Sequence, residues 1–120
     1  MELMDKAIAA KKNSYSPYSN FKVGAALLTE DNKIYTGCNI ESVSHTPTCC
    51  AERVAFFKAI SEGHKKFKAI AISGDTKYCY PCGVCRQVMS EFCDNNFKIY
   101  VADKEYTLGE LLPYAFDMEK

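Results

Sequence analysis

Two short cysteine motifs constrain the fold of this chain more than any other feature. The first, CAE, begins at Cys50, and the second, PCGVC, ends at Cys85. Each motif stands where a predicted helix begins, and the apolar strand FKAIAIS lies between the two helices. If these cysteines bind one metal ion, the ion must lie between two helix N-termini.

Periodicity and turn signals predict an α/β fold in which a mixed sheet carries helices, in three layers or nearly so. The length of 120 residues fits a single domain over 1–120. Thr107 and Glu110 have the spacing of a capping box, which predicts a short last helix. The predicted order is a helix over 2–12, a strand hairpin over 21–28 and 33–40, a helix from Cys50 to Gly63, a strand over 67–73, a helix from PCGVC, a strand over 97–102, and a short helix that ends before Pro113.

Composition excludes several classes of protein. Fifteen basic and fifteen acidic residues give a formal net charge of zero, which disfavours a nucleic-acid reader. No segment approaches the ~20 apolar residues needed to span a bilayer. The start of the chain lacks the pattern of a signal peptide, so we expect a cytoplasmic protein. Seven cysteines, an odd number, fit a disulfide framework poorly, so metal ligation or burial is the better interpretation.

The pair Cys82 and Cys85 has the spacing of metal ligands. Residues three apart on a helix share a face, so two thiols there can reach one tetrahedral ion. The partial positive charge of a helix N-terminus also favours the thiolate. This spacing alone does not distinguish a metal site from a redox pair or from chance.

Cys50 and Glu52 are offset by roughly 200° around the second helix. Their side chains can therefore converge only ahead of the first turn, where Glu52 would face a fourth position beside a metal. Three protein ligands and one open position are typical of a catalytic zinc, and a carboxylate beside it can move protons. Alone, an acidic residue in a first turn interacts favourably with the dipole, and a lone cysteine is a small apolar side chain. The two motifs together indicate a catalytic metal site far more specifically than either residue alone.

The motifs SPYSNFKVGAALL, GCNIE, CAER, PCGVCRQV and ELLP resemble those of the three-cysteine cytidine deaminases, in the same order along nearly the whole chain. The His-x-Glu and Pro-Cys-x-x-Cys signature of zinc deaminases has this three-cysteine variant. The resemblance implies that Cys50, Cys82 and Cys85 bind Zn²⁺ and that Glu52 is the proton shuttle. It also implies an α/β/α sandwich and a homotetramer.

The same resemblance implies roles for five further positions. Phe21 would lie beside the pyrimidine, Asn39 and Glu41 would bind the ribose hydroxyls, and the backbone at Ala51 would read the base edge. Phe116 would complete the site of a neighbouring subunit. The alternatives are a core position for Phe21 and a surface contact for Phe116.

Arg53 is the nearest candidate for a charge that offsets three thiolates on one zinc ion. Bound Zn²⁺ would leave the centre with a net charge of about −1, which weakens the metal as a Lewis acid. A guanidinium that bonds to a ligand sulfur would withdraw part of this charge. The alternative is an exposed arginine on the surface of the helix.

Two segments depart from the family pattern. Ser42, Val43, Ser44 and His45 follow NIE in place of the usual Asn-Ala and aromatic residues, and Tyr80 replaces a small residue before PCG. These changes leave the three cysteines intact and bear on how the substrate fits. His45 as a zinc ligand is the less favoured alternative.

The leading hypothesis is a zinc-dependent enzyme that hydrolyses cytidine and 2′-deoxycytidine to the uridine nucleosides and ammonia. Its partners would be a free nucleoside and other copies of the chain, with no nucleic-acid polymer and no membrane. One alternative is the same chemistry on a modified cytosine nucleoside or nucleoside antibiotic. Another is a non-catalytic module stabilised by zinc, for which Cys49 or Cys79 could supply a fourth ligand. Otherwise four cysteines are small buried side chains, namely Cys38, Cys49, Cys79 and Cys93.

Overall fold

Five strands form one mixed sheet with helices on both faces. The computed structural model describes residues 1–117, so the last three residues of the predicted 1–120 domain lie outside the described residues. Within 1–117, no helix has both the length and the apolar character needed to cross a membrane. The elements are α1 (Glu2–Ala10) with a 3₁₀ turn (Lys11–Asn13), β1 (Val23–Thr29), β2 (Ile34–Cys38), α2 (Ala51–Ser61), β3 (Phe67–Gly74), α3 (Gly83–Phe92), β4 (Lys98–Val101), β5 (Lys104–Thr107) and α4 (Leu108–Leu111).

The strands lie in the order β2-β1-β3-β4-β5. β1 pairs antiparallel with both β2 and β3, β3 and β4 are parallel, and β4 and β5 are antiparallel. The prediction of a mixed α/β sheet is confirmed. The sequence analysis missed β5, because the segment KEYT is short and charged and lacks a run of apolar residues. A turn at Ala102, whose φ is 54°, allows the chain to return along β4.

The side chains of the central strands alternate between two apolar layers. On one face, Leu27 and Ile70 pack beneath α2 and α3, together with the fully buried Phe56 and Met89 of those helices. On the other face, small residues of β1 and β3, such as Ala26, pack against α1. Because successive residues of a strand point to opposite faces, both layers come from the same strands. The predicted three-layer arrangement is confirmed.

Gly37 of β2 allows the first turn of α2 to lie directly on the sheet. A Cβ at this position would lie 2.4 Å from the carbonyl oxygen of Ala51 and 2.6 Å from the amide nitrogen of Ala55. Both of those atoms belong to backbone, so a side chain here forces the helix to move. Since Cys50 and Glu52 lie at this end of α2, Gly37 also determines how close these two residues lie to the sheet.

We predict that Gly37→Ala lowers the free energy of unfolding by ~1–3 kcal/mol, the usual cost of overpacking a filled core. Denaturant unfolding measures this change. Gly83→Ala is the matched control, because a Cβ there meets no heavy atom within 4 Å. Equal stability of the two variants would contradict the close packing of α2 on β2.

Candidate metal centre and active site

Three cysteine thiols meet between the N-termini of α2 and α3. Cys50 and Cys82 are the N-cap residues of these helices, and both have extended backbone with φ of −70°. The Sγ of Cys50 lies 3.8 Å from that of Cys82, which lies 3.5 Å from the Sγ of Cys85. The predicted convergence of the two cysteine motifs is therefore present in the fold.

The spacing of the three sulfurs fits zinc. With Zn–S bonds of ~2.3 Å, two ligands of a tetrahedral ion lie about 3.8 Å apart. The ligand atoms of Cys50, Cys82 and Cys85 all lie within 4.8 Å of one another. Among residues 1–117, no further histidine, cysteine or carboxylate joins this group, so Cys49, Cys79 and His45 are not in it. Three protein ligands are typical of a catalytic zinc site.

Glu52 is a buried carboxyl group in the first turn of α2. Only 4% of its surface is exposed. Burial raises the pKa of Glu52 to about 7, and the negative charge of Cys50 contributes in the same direction. A carboxyl group whose pKa lies near neutrality can both accept and donate a proton under ordinary conditions.

Arg53 contacts the sulfur of Cys50. Its Nη2 donates to the Sγ of Cys50 over 3.2 Å. Hydrogen bonding from Cys85, followed by that from Arg53, lowers the pKa of Cys50 to about 5. The Nε of Arg53 is buried without a hydrogen-bond partner among the described residues. The guanidinium therefore faces the sulfur cluster and is not a solvated surface group.

Asn39 and Glu41, two other residues predicted to bind the substrate, hold the backbone at Phe21. Asn39 bonds to it directly, and Glu41 acts through Ser19. Asn39 donates from Nδ2 to the carbonyl oxygen of Phe21 over 2.8 Å and accepts from the amide of Val23 over 2.9 Å. Glu41 accepts from the backbone amide of Ser19 over 3.2 Å and also from its hydroxyl. The Ser19 hydroxyl in turn accepts from the amide of Phe21 over 3.1 Å. Phe21, Asn39 and Glu41 thus form one connected network.

Both polar members of this network retain hydrogen-bonding capacity. Asn39 has a second Nδ2 hydrogen, and the two oxygens of Glu41 offer more lone pairs than the contacts of Tyr18 and Ser19 use. The Ser19 hydrogen bond lowers the pKa of Glu41, so this carboxylate remains ionised. One free donor and one anionic acceptor are suited to binding sugar hydroxyls.

Ala51 and Cys79 lie close to the groups described above. Ala51 is the buried first residue of α2, between Cys50 and Glu52. A Cβ on Gly74 would lie 2.7 Å from the Sγ of Cys79 and 3.3 Å from the ring of Phe21, so both side chains flank this glycine. The negative charge of Glu52 adds to burial in raising the pKa of Cys79 to about 11. The approach of Cys79 and Phe21 to the same glycine was not predicted, because it depends on the path of the loop after β3.

The remaining cysteines are half-buried rather than fully buried. All seven cysteines lie within residues 1–117, and none forms a disulfide there. Burial raises the pKa of each thiol outside the cluster, which makes it a poor nucleophile. These thiols belong to Cys38, Cys49, Cys79 and Cys93.

Phe116 does not join the cysteine cluster of its own chain. Its side chain is 73% exposed, and it lines a cavity of about 650 Å³ with Ser90 of α3 and with Cys93, which directly follows that helix. Cys82 and Cys85 lie at the opposite end of that helix. Phe116 therefore lies away from the cysteine cluster of its own chain.

The two departures from the family pattern lie at the surface. His45 adopts a positive φ of 63° in an exposed turn and lines a cavity of about 280 Å³ with Glu41. The hydroxyl of Tyr80 is 2.9 Å from that of Tyr106 on β5, and the two rings pack edge to face. Tyr80 thus connects the segment before Cys82 to the edge of the sheet.

Comparisons with known proteins show the family of this chain. The family model of the cytidine and deoxycytidylate deaminase zinc-binding region matches residues 1–101. A cytidine deaminase of Sporosarcina psychrophila is 48% identical, over 98% of this chain and 91% of the relative. A blasticidin-S deaminase of Bacillus cereus is 28% identical, over 78% of this chain and 76% of the relative.

A solved structure has the same fold. The crystal structure of a cytidine deaminase from Burkholderia pseudomallei superimposes with a TM-score of 0.92 and 43% identity, covering 96% of this chain and 97% of that chain. The match of the family model and the identity over nearly the full length lead to one conclusion. This chain belongs to the cytidine and deoxycytidylate deaminase family.

Proposed function

We propose that this chain is a zinc-dependent hydrolase that converts cytidine and 2′-deoxycytidine to uridine and 2′-deoxyuridine and releases ammonia, as in pyrimidine salvage. The observation that carries the proposal is the cluster of three thiols with the buried Glu52 beside it. The similarity to cytidine deaminases over 98% of the chain supports the same substrate class. We assign the activity to one domain over 1–120.

Cys50, Cys82 and Cys85 would hold the zinc ion. A zinc ion bound there would lower the pKa of a water molecule and make it a nucleophile near neutral pH. The N-termini of α2 and α3, each with roughly half a unit of positive charge, and the guanidinium of Arg53 would offset the charge of three thiolates. The 3.2 Å contact between Arg53 and the Sγ of Cys50 supports this role.

Glu52 would carry the protons of the reaction. The carboxylate accepts a proton from the attacking water and delivers it to N3 of the cytosine ring. It then helps to protonate the departing amine at C4. Its burial supports this assignment, because a water-excluded carboxyl group transfers protons to the substrate rather than to solvent.

The network around Phe21 would bind the nucleoside. The ring of Phe21 would pack beside the pyrimidine, and the backbone at Ala51 would contact the edge of the base. Asn39 and Glu41 would use their remaining donor and acceptor for the ribose hydroxyls. A neutral chain with this small polar network favours a free nucleoside over a nucleic-acid polymer.

An oligomer, most simply a homotetramer, would complete the site. An apolar groove of about 390 Å³ lies along α2 and α3, where Phe57 is 47% and Val84 is 57% exposed. Exposed apolar side chains along one groove support a contact surface there. The position of Phe116 away from its own cysteines supports a role in a neighbouring site.

The unpaired cysteines within 1–117 support a reducing compartment, which we take to be the cytoplasm.

We predict that Glu52→Gln keeps one zinc per chain and loses nearly all turnover, since an amide cannot carry the proton. Ultraviolet absorbance with cytidine, 2′-deoxycytidine and blasticidin S as substrates, together with zinc content, tests the proposal. Wild-type turnover of a cytosine nucleoside is expected. A zinc-loaded wild type that deaminates none of the three would instead indicate a non-catalytic zinc module.

We predict opposite results for the two adjacent cysteines. Cys50→Ala should lose both zinc and activity, because it removes one of three ligands. Cys49→Ala should keep stoichiometric zinc and deaminase activity, because Cys49 lies outside the ligand group. Metal analysis and turnover measure both variants, and equal losses would contradict the assignment of Cys50 as the ligand.

We predict that removing the residues after Pro113 raises KM for the nucleoside without abolishing zinc binding. The reason is that Phe116 would contact substrate in a neighbouring subunit. Light scattering after size-exclusion chromatography gives the oligomeric state of the active wild type. A fully active monomer would refute this part of the proposal.

A further inference from the structure

Arg86 forms two hydrogen bonds that join distant parts of the chain. Its Nε donates to the carbonyl oxygen of Pro81 over 2.7 Å, and its Nη1 donates to the carbonyl oxygen of Leu111 over 2.7 Å. Both bonds are short and charge-assisted, and the side chain is half-buried. Arg86 follows Cys85 directly but bonds to backbone rather than to sulfur.

The two carbonyl oxygens that accept from Arg86 lie next to a cysteine of the cluster and at the end of a helix. Pro81 directly precedes Cys82, so its carbonyl oxygen belongs to the backbone that presents this thiol. Leu111 is the last residue of α4, and its carbonyl has no partner within that helix. The guanidinium of Arg86 therefore satisfies a carbonyl group that the helix itself leaves unpaired.

Gln87 adds a third connection from the same turn of α3. Its Nε2 donates to the carbonyl oxygen of Phe116 over 2.8 Å. The neighbouring residues Arg86 and Gln87 therefore hold the chain on both sides of Pro113. The segment that carries Phe116 is attached to the helix that carries Cys85.

The two arginines near the cysteines differ in what they contact. Arg53 directs its charge at the Sγ of Cys50, whereas Arg86 uses the planar geometry of the guanidinium to reach two carbonyl oxygens in different directions. A lysine ammonium at position 86 could reach one of these oxygens but could not bridge both.

We propose that Arg86 is a positioning residue that couples the metal centre to the C-terminal segment. Arg86 holds the backbone before Cys82 at a fixed position relative to the end of α4. Gln87 attaches the backbone of Phe116 to the same turn of α3. The inference rests on the proposed function, since it concerns how a zinc ligand and a substrate-contacting segment are held.

The test compares Arg86→Gln, Arg86→Lys and Gln87→Ala with the zinc-loaded wild type. Lys65→Gln, at an exposed position, is the control for loss of one positive charge. The rate of zinc release to a chromogenic chelator reports the metal centre. The thiolate-to-metal absorption bands of the Co²⁺-substituted protein report ligand geometry, and kcat and KM report the site.

We expect Arg86→Gln to release zinc ~10–100-fold faster, to alter the Co²⁺ spectrum and to raise KM. Arg86→Lys should lie between this variant and the wild type, and it serves as the milder change if Arg86→Gln does not fold. Gln87→Ala should raise KM and leave zinc release unchanged. Lys65→Gln should match the wild type in all four measurements.

Two results would overturn the inference, and they are distinguishable from failure of the proposed function. The first is that Arg86→Lys matches the wild type in zinc release, Co²⁺ spectrum and KM, which would mean that charge alone matters. The second is that Arg86→Gln loses only thermal stability, with a normal spectrum and normal KM. A wild type that binds no zinc would instead refute the proposed function.

Discussion

Three thiols within 4.8 Å of one another are the constraint on which the rest of the structure depends. Sulfur atoms in this arrangement repel one another once they ionise, so the fold must supply compensating positive charge. It does so with two helix N-termini, which requires α2 and α3 to begin close to the same point, and with Arg53. The close packing of α2 on β2 at Gly37 and the N-cap positions of Cys50 and Cys82 satisfy that requirement.

Much of the arrangement around the three cysteines could be predicted from short-range patterns in the sequence. Cys50 and Cys82 precede helical patterns, so their place at the helix N-termini follows from short-range rules, and the offset to Glu52 follows from helix geometry. The alternation of apolar residues along FKAIAIS likewise predicts a buried strand. Each of these inferences uses residues within about ten positions of one another.

Features that depend on distant partners could not be predicted in this way. The strand β5 is a short charged segment whose pairing comes from β4, not from its own composition. Nothing in the sequence indicates that Asn39 donates to the backbone of Phe21, or that Arg86 bonds to carbonyl oxygens 5 and 25 residues away. The chemistry of the residues and the order of most elements were therefore predictable, whereas the long-range contacts that hold those residues in place were not.

The edge strands of the sheet, β2 and β5, limit how copies of this chain can associate. At one border, the Lys58 ammonium donates to the carbonyl oxygen of Thr36 in β2. At the other, β5 is short and carries Lys104 and Glu105, the latter paired with Lys98 over 3.1 Å. Charged side chains at both edges, from α2 beside β2 and from β5 itself, oppose pairing with strands of another molecule, which is a common route to aggregation. Extension of the sheet from one molecule to the next is thus disfavoured at both edges.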